Sequence, residues 1–536
     1  MFKTKILFIS ILILTIFLRF YDLGSNPPSL DWDEASLGYN AYSLLETGKD
    51  EYGISWPINL KSFGDYKPAA YVYLTLPSIA LLGLNELSVR LPSALFGVLT
   101  VISFYGITSA LFKNKKNKTR IALTATVLLA LSPWHIQFSR IAFEANIGLS
   151  FFVAGLCMLL YSKKTPITIP VGFLFWVLSL YSYHSMRLFV PLFFIGTFWY
   201  FKSVFFLYRR WFAVGIVLGC IALVPLLQSY VDPETRARFQ AVNIFSNLNI
   251  EEAEKKQIDT LNHDVVGRVV HTQKFNQVRT IAKNYLDHFD LNFLFLKGDE
   301  YGRHGAVDMG LLYLVELPFL LLGIVYLYKR HRRTAYLCLA WMILAPIPSA
   351  ITEGTPHAVR FLTILPLPYV VIAVGIVEFL HTRIPFKKVG ASLFVCIFSI
   401  NIAYYLSLYF IHTPVEASQD WQYGYKQVID YLRKHERNYS KIVITNAYDQ
   451  PYVYLLFYTP VDPRAYQRQT TNPSQAFRSF EKYEFRKIDW NSDQQLSDTL
   501  LVVAPDELPS GKEDAVNYLE EIKFLDGTTA FYIIGK

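Results

Sequence analysis

Residues 6–40, ILFISILILTIFLRFYDLGSNPPSLDWDEASLGYN, pass from an apolar run straight into three carboxylates within four positions, Asp31, Asp33 and Glu34. Lys3 and Lys5 precede the run, which gives it the charge flank of a signal sequence. No small-residue cleavage site follows, and Arg19-Phe20-Tyr21 are bulky, so the run is read as a retained first transmembrane helix. Everything after it depends on that reading, because the acidic stretch then sits at the outer mouth of a membrane span.

The same kind of span recurs. Apolar stretches near the length a helix needs to cross a bilayer lie at 90–112, 121–135, 147–161, 167–183, 188–206, 211–228, 311–328, 335–351, 361–380 and 389–411. A shorter one, 69–84, contains Pro77 and is expected to lie at the interface or re-enter, so the count is 11–13 transmembrane helices. Only 18% of residues are charged and 52% are hydrophobic, against about 25% charged in soluble domains. The net charge of +8 would suit nucleic acid, but the basic residues fall in short clusters between apolar runs, a topology signal that excludes a nucleic-acid partner. All four cysteines lie inside apolar runs and read as buried thiols without a disulfide framework.

The loops set the orientation. Lys113 to Arg120, Lys163-Lys164, Lys202 with Arg209-Arg210, Lys329 to Arg333 and Arg383 with Lys387-Lys388 occupy every second loop. By the positive-inside rule these loops and the N-terminus are cytoplasmic in a multi-pass protein of the cell (inner) membrane. The alternate loops, 21–89, 136–146, 184–187, 229–310 and 352–360, and everything after 411, then face outward. The fold expected is a polytopic helical membrane domain, 1–411, with an extracytoplasmic α/β domain, 412–536. In that tail YKQVIDYLRKH reads as an amphipathic helix, KIVITNAY and TLLVVAP as buried strands, and KFLDGTTAFYIIG as a hairpin around Asp526-Gly527. FNQVRTIAKNYLDHF reads as a helical run within the 229–310 loop.

Charged groups gather in the outward loops. SFGDYKPAAYVYL gives Asp65 and Lys67, SVRLPSALFG gives Arg90 with Pro92 near a helix start, and SPWHIQFSRIAFEANIG gives His135, Arg140 and Glu144. YSYHSMRLFVP gives His184 and Arg187, GDEYGRHGAVDMG gives Asp299, Glu300, Arg303, His304 and Asp308, and TEGTPHAVRFL gives Glu353, His357 and Arg360. Singly, such groups are interfacial anchors or caps, Arg90 by snorkelling and Asp50 and Asp232 by capping. Together they place carboxylates and arginines on one face, and ionisable groups held near membrane depth are typically functional. That face suits an anionic substrate beside a carboxylate base. The chain contains no nucleotide-binding G-x-x-x-x-G-K-[ST], no G-x-S-x-G, no H-E-x-x-H and no Cys/His zinc spacing. An outward site also has no access to cytoplasmic nucleotides, so its activated substrate is expected from the membrane.

An acidic pair after helix one, a Lys-Pro near the end of the same loop and RLPSALFG opening the next helix resemble the GT-C glycosyltransferases, and within them glycosyltransferase family 39. That family includes protein O-mannosyltransferases and the aminoarabinose transferase that modifies lipid A. The resemblance covers residues 1–230 by motif and the rest by topology. It departs at Lys67-Pro68-Ala69, where the family usually has KPP, and at Glu144, where many relatives carry aspartate. It implies inverting transfer of a sugar from a polyprenyl-phosphate donor to an acceptor glycan, lipid or protein on the outer face. An acceptor hydroxyl needs a general base, assigned to Asp33, with Glu34 and Glu144 as the other catalytic carboxylates and Asp31 confined to capping or solubility. The lipid phosphate needs cations, for which Lys67, Arg90, Arg140, Arg187, Arg303 and Arg360 are the candidates, with His184 and His357 beside them. No cofactor is required; a divalent cation at Asp33 and Glu144 stays open. The rival readings are a lipid-linked glycan polymerase or ligase, a lipid or glycan transporter, and a non-enzymatic membrane scaffold.

Overall fold

The computed structural model describes residues 2–113, 115–229, 273–381, 387–469, 479–509 and 517–536; Asp232 and most of the 229–310 loop fall outside them. Helix α1 (Phe2–Phe20) leads into a segment holding α2 (Trp32–Thr47), the hairpin β1 (Asn59–Ser62)–β2 (Asp65–Pro68) and α3 (Ala70–Leu82). The bundle continues through α4 (Glu86–Leu111), α5 (Lys118–Ala130), the short α6 (Pro133–Phe138), α7 (Glu144–Tyr161), α8 (Thr168–Ser182), α9 (His184–Leu207) and α10 (Arg209–Ser229). After α11 (Gln273–Asp287) come α12 (Leu317–Arg330), α13 (Arg332–Leu344), α14 (Leu367–His381) and α15 (Lys387–Ser407). Each apolar span of the sequence is thus occupied by a helix, and the protein is a multi-pass membrane protein. Among the described residues, five helical runs are at least 18 residues long and apolar enough to cross a bilayer: α4, α7, α9, α10 and Lys388–Glu416.

Proline shapes the differences from the sequence reading. Helix α4 starts at Glu86, capped by the Asn85 side chain on the Ser88 N–H, so Pro92 lies inside it rather than near its first turn. A helical proline leaves the carbonyl four residues back without a donor; here that carbonyl, of Ser88, accepts from Ser78 Oγ at 2.6 Å. The span read as 335–351 ends at Leu344 ahead of Pro346, and 361–380 starts as a 3-10 turn, Arg360–Ile364, before Pro366 lets α14 begin. The 136–146 segment is not a plain loop, since α6 fills part of it and is wholly buried. The stretch 69–84 is the helix α3, with Pro77 inside it.

The bundle packs at close range. A Cβ on Gly323 of α12 would lie 2.0 Å from the Val371 carbonyl oxygen of α14, so these two backbones touch as small residues allow in membrane helices. At one end of the bundle the basic turns meet: Lys115 donates to the Arg330 carbonyl at 3.4 Å and Arg120 pairs with His381 at 3.1 Å. The opposite end carries α2, the hairpin and the C-terminal region. There the amphipathic helix α16 (Tyr425–His435) packs beside α17 (Pro451–Tyr458) and a mixed sheet that starts at the edge strand β4 (Ser479–Phe480) and runs in the order β4-β5-β3-β6-β8-β7. In it β3 (Lys441–Ile444) runs parallel to both β5 (Tyr483–Phe485) and β6 (Thr499–Val503), and β7 (Glu520–Lys523) and β8 (Thr529–Gly535) form the terminal hairpin. One apolar core spans Leu37, Leu44 and Tyr71 of the first segment and Val428, Ile444 and Phe457 of this region.

Candidate active site

The start of α2 separates the acids that the sequence places side by side. Asp31 is the N-cap: its Oδ1 accepts the Glu34 N–H at 2.8 Å, and Glu34 Oε2 accepts the Asp31 N–H at 3.4 Å, a complete capping box. Successive helical side chains point about 100° apart, so Asp33 and Glu34 cannot share one face. Glu34 turns inward and is fully buried, forked against Arg90, whose Nε and Nη2 donate at 3.0 and 2.8 Å, and it also accepts the Ala142 N–H at 2.8 Å. Arg90 is buried too and donates to the carbonyls of Pro27 at 2.8 Å and Ser29 at 2.5 Å. It is therefore neither a snorkelling anchor nor a lining residue, and Glu34 is not placed to meet a substrate.

Arg140 belongs to the same scaffold. It is fully buried and donates to the carbonyls of Leu18, Tyr21 and Asn26 at 3.0, 2.7 and 2.9 Å. Helix α1 ends with orphan carbonyls, and Arg140 satisfies them across 120 residues of sequence. Arg90 and Arg140 thus grip the chain from 18 to 29 and fix where Asp31 begins α2. Both depart from the phosphate-binding role expected of them.

Asp33 faces a cavity of about 240 Å³, together with Lys67, Glu144, His184, Arg303, His304, His357 and Arg360 and the aromatic rings of Phe143, Tyr183 and Tyr301. Three cations and two carboxylates therefore line one small space. Lys67, on β2 of the hairpin, forms an ion pair with Asp33. Arg303 stacks 4.2 Å over the Trp32 ring and donates to Asp31 Oδ2 at 2.8 Å. Burial pushes the Asp31 carboxyl up to about 7, against the pull of Arg303, so Asp31 is a buried partner of the site and not a solubilising surface acid. Glu144 sits in the first turn of α7. Arg360 is anchored by Thr352 Oγ1 at 2.9 Å and the Glu353 carbonyl at 2.5 Å.

Of the residues singled out in the sequence, Arg187 stands behind the lining: its Nη1 contacts His184 Nδ1 at 3.1 Å and its Nη2 donates to Asn59 Oδ1 at 3.0 Å. It braces His184 and the hairpin. His304, Tyr183 and Tyr301 line the cavity without having been in the expected site set. His304 was visible directly after Tyr301-Gly302-Arg303 in a charged loop, but only the tertiary meeting of that loop with 357–360 assigns it. Among the described residues, the His/Asp group close enough to share a metal ion is Asp299, His304 and His357; Asp33 and Glu144 are not in it.

Residues 9–182 match the family model of dolichyl-phosphate-mannose-protein mannosyltransferases. The fold is that of ArnT from Cupriavidus metallidurans. Its apo crystal structure superposes with a TM-score of 0.51 at 12% identity, covering 98% of this chain and 97% of that one. The crystal structure of the same ArnT bound to undecaprenyl phosphate gives 0.52 at the same identity and coverage. No curated protein matches the chain. The sequence match to the mannosyltransferases thus falls on the segment that builds α1 to α8, and the ArnT-like fold spans the whole chain.

Proposed function

We propose that the protein transfers a sugar from a polyprenyl-phosphate carrier to an acceptor hydroxyl, at the membrane face opposite the basic turns. The observation that carries this reading is the cavity itself, where Asp33 and Glu144 stand among Lys67, Arg303 and Arg360. A lipid-linked donor presents a phosphate, which lysine meets as a point charge and arginine as a fork. ArnT, with the same fold, binds undecaprenyl phosphate.

The chemistry follows from the pairing of Asp33 with Lys67. A donor phosphate entering beside Lys67 competes for the ammonium and releases the Asp33 carboxylate. Asp33 then takes the acceptor hydroxyl proton as that oxygen attacks the anomeric carbon. The carbon–phosphate-oxygen bond breaks on the opposite side, which inverts the configuration. The polyprenyl phosphate leaves with its charge held by Lys67, Arg303 and Arg360. Glu144 lines the same space, in the first turn of α7, and is the alternative base.

The test is transfer from a radiolabelled polyprenyl-phosphate sugar by the purified protein in nanodiscs. Turnover by the wild type and its loss in Asp33→Asn support the reading. Loss in Glu144→Gln with full turnover in Asp33→Asn moves the base to Glu144, and no turnover by the wild type with any lipid donor removes the reading.

A further inference from the structure

Beside the lysine and arginines, two loops bring three side chains together that the transfer step does not use. Asp299 and His304 come from GDEYGRH, and His357 comes from TEGTPH. Their nearest ligand atoms lie within 4.8 Å of one another. Asp299 Oδ2 stands 3.0 Å from His304 Nδ1, and the His304 and His357 rings are 4.8 Å apart. The loops are not meeting by chance of a flexible surface. Asp299 Oδ2 accepts the Ala358 N–H at 2.6 Å, and Asp299 Oδ1 accepts the Tyr301 N–H at 3.0 Å, so both loops are pinned through this one carboxylate. The Tyr301 ring flanks both imidazoles, at 5.2 and 6.0 Å.

The polar accounting of this cluster is incomplete within the protein. His304 is 7% exposed, and its Nδ1, although near Asp299, makes no aligned hydrogen bond; the buried His357 Nδ1 has no hydrogen-bond partner either. Buried polar atoms normally find partners; here His357 Nδ1 has none in the protein, and His304 Nδ1 has only its ion-pair contact with Asp299. The nearest arginines do not supply a partner. Arg360 is turned to Thr352 and Glu353, and Arg303 to Asp31 and Trp32.

The geometry points to a divalent transition-metal site formed by Asp299, His304 and His357. Two imidazoles and one carboxylate suit Zn²⁺ or its neighbours rather than Mg²⁺ or Ca²⁺, which take oxygen ligands. Tetrahedral Zn²⁺ with bonds of about 2.0–2.2 Å requires the donors to close in by roughly an ångström from their widest separation. Three protein ligands leave one position open, the arrangement of a site that takes water or substrate. Both histidines line the same cavity as Asp33, Lys67 and Arg360, so the open position faces the space assigned to the phosphate, and the ligand it takes there is a phosphate oxygen. The metal site stands without the glycosyl-transfer reading; its contact with the donor phosphate rests on it.

Purified full-length protein, stripped with chelator, is titrated with Zn²⁺ by calorimetry, with metal content read by mass spectrometry. One equivalent is expected to bind, and binding should weaken at least 100-fold in His304→Ala and in His357→Ala. It should be retained in His412→Ala, which removes an exposed histidine outside the cluster. Should His304→Ala not fold, His357→Gln carries the same comparison, with the unfolding temperature of each metal-free variant as the control. No bound equivalent, or equal binding by the His304→Ala/His357→Ala double variant, overturns the site. Undecaprenyl phosphate binding is then measured with and without Zn²⁺. Tighter lipid binding with metal supports the phosphate contact, and unchanged binding overturns that contact while the calorimetry alone decides the site. Loss of sugar transfer enters neither readout, so failure of the proposed activity is distinguishable from failure of the metal site.

Discussion

Asp33→Asn and Glu34→Gln are neighbouring, nearly isosteric substitutions with opposite expected outcomes. Asp33 lines the cavity and is 31% exposed at its side chain; Glu34 is 0% exposed, forked on Arg90 and bonded to the Ala142 N–H. Removing one partner of a buried pair leaves the other charge uncompensated, which costs about 3–5 kcal/mol. Glu34→Gln keeps the shape but neutralises the acceptor of two Arg90 donors, and it weakens half of the capping box. It should therefore lower the unfolding temperature by several degrees and reduce the folded yield, while the folded fraction keeps its turnover per molecule. Asp33→Asn should unfold at the wild-type temperature and lose about 10²–10⁴ in kcat, the usual worth of a general base. The assay pairs thermal unfolding in detergent with initial rates of lipid-linked transfer, run well below the lower unfolding temperature and normalised to folded protein. Wild-type stability in Glu34→Gln with its turnover abolished would refute the division of labour between the two acids.

Lys67→Ala should lower kcat/KM for the lipid donor by a factor equivalent to about 2–5 kcal/mol, whereas Arg140→Ala should act on stability, by unsatisfying three backbone carbonyls, and leave donor kinetics of the folded protein intact; the reverse pattern would put the phosphate at Arg140. Burial raises Glu51 from 4.5 to about 8, with the Asn40 amide hydrogen bond opposing it, and raises Asp50 to about 6. Both are protonated in the fold over a range where the unfolded chain is ionised, so their stabilising contribution is full below about pH 4 and is lost as pH rises to the folded values, by about 6 for Asp50 and about 8 for Glu51. Unfolding temperature should accordingly fall between about pH 4 and pH 8, and Glu51→Gln should flatten most of that slope above about pH 6; an unchanged slope would exclude Glu51 as its source. Single cysteines at 115 and 448, on opposite ends of the molecule, should label differently in intact cells with an impermeant thiol reagent, 448 reacting and 115 not.

The spans and their order were legible because a bilayer imposes length and apolarity on each crossing, and the basic turns that end α4, α12 and α14 do gather at one end. The terminal helix and hairpin were legible through period and turn chemistry: Tyr425–His435 is the helix, and Gly527 takes the left-handed conformation at φ 89° between β7 and β8. The site was legible as a set of loops but not as a set of roles. Asp-x-x-Glu at 31–34 is a capping-box signature, and reading it as such would have assigned Glu34 to structure. Nothing local reveals Arg90 and Arg140, because their partners lie 56 to 269 residues away in sequence. The same holds for His304, whose neighbours in the cavity come from another loop.

Helix α2 has little room against the C-terminal region. A Cβ on Gly38 would lie 2.5 Å from Phe457 Cε2 and 2.7 Å from Val89 Cγ2, so glycine is what lets α17 and α4 close on it from two sides. Among the described residues, none lining the cavity lies beyond Arg360, yet the helix that carries Asp33 is walled by side chains more than 400 positions further along the chain. A deletion that removes the tail would therefore silence the enzyme without touching one group that meets substrate. Genetic truncations in this protein would mimic active-site lesions, and the tail should be inherited with the loop as one unit, not shuffled as a separable module.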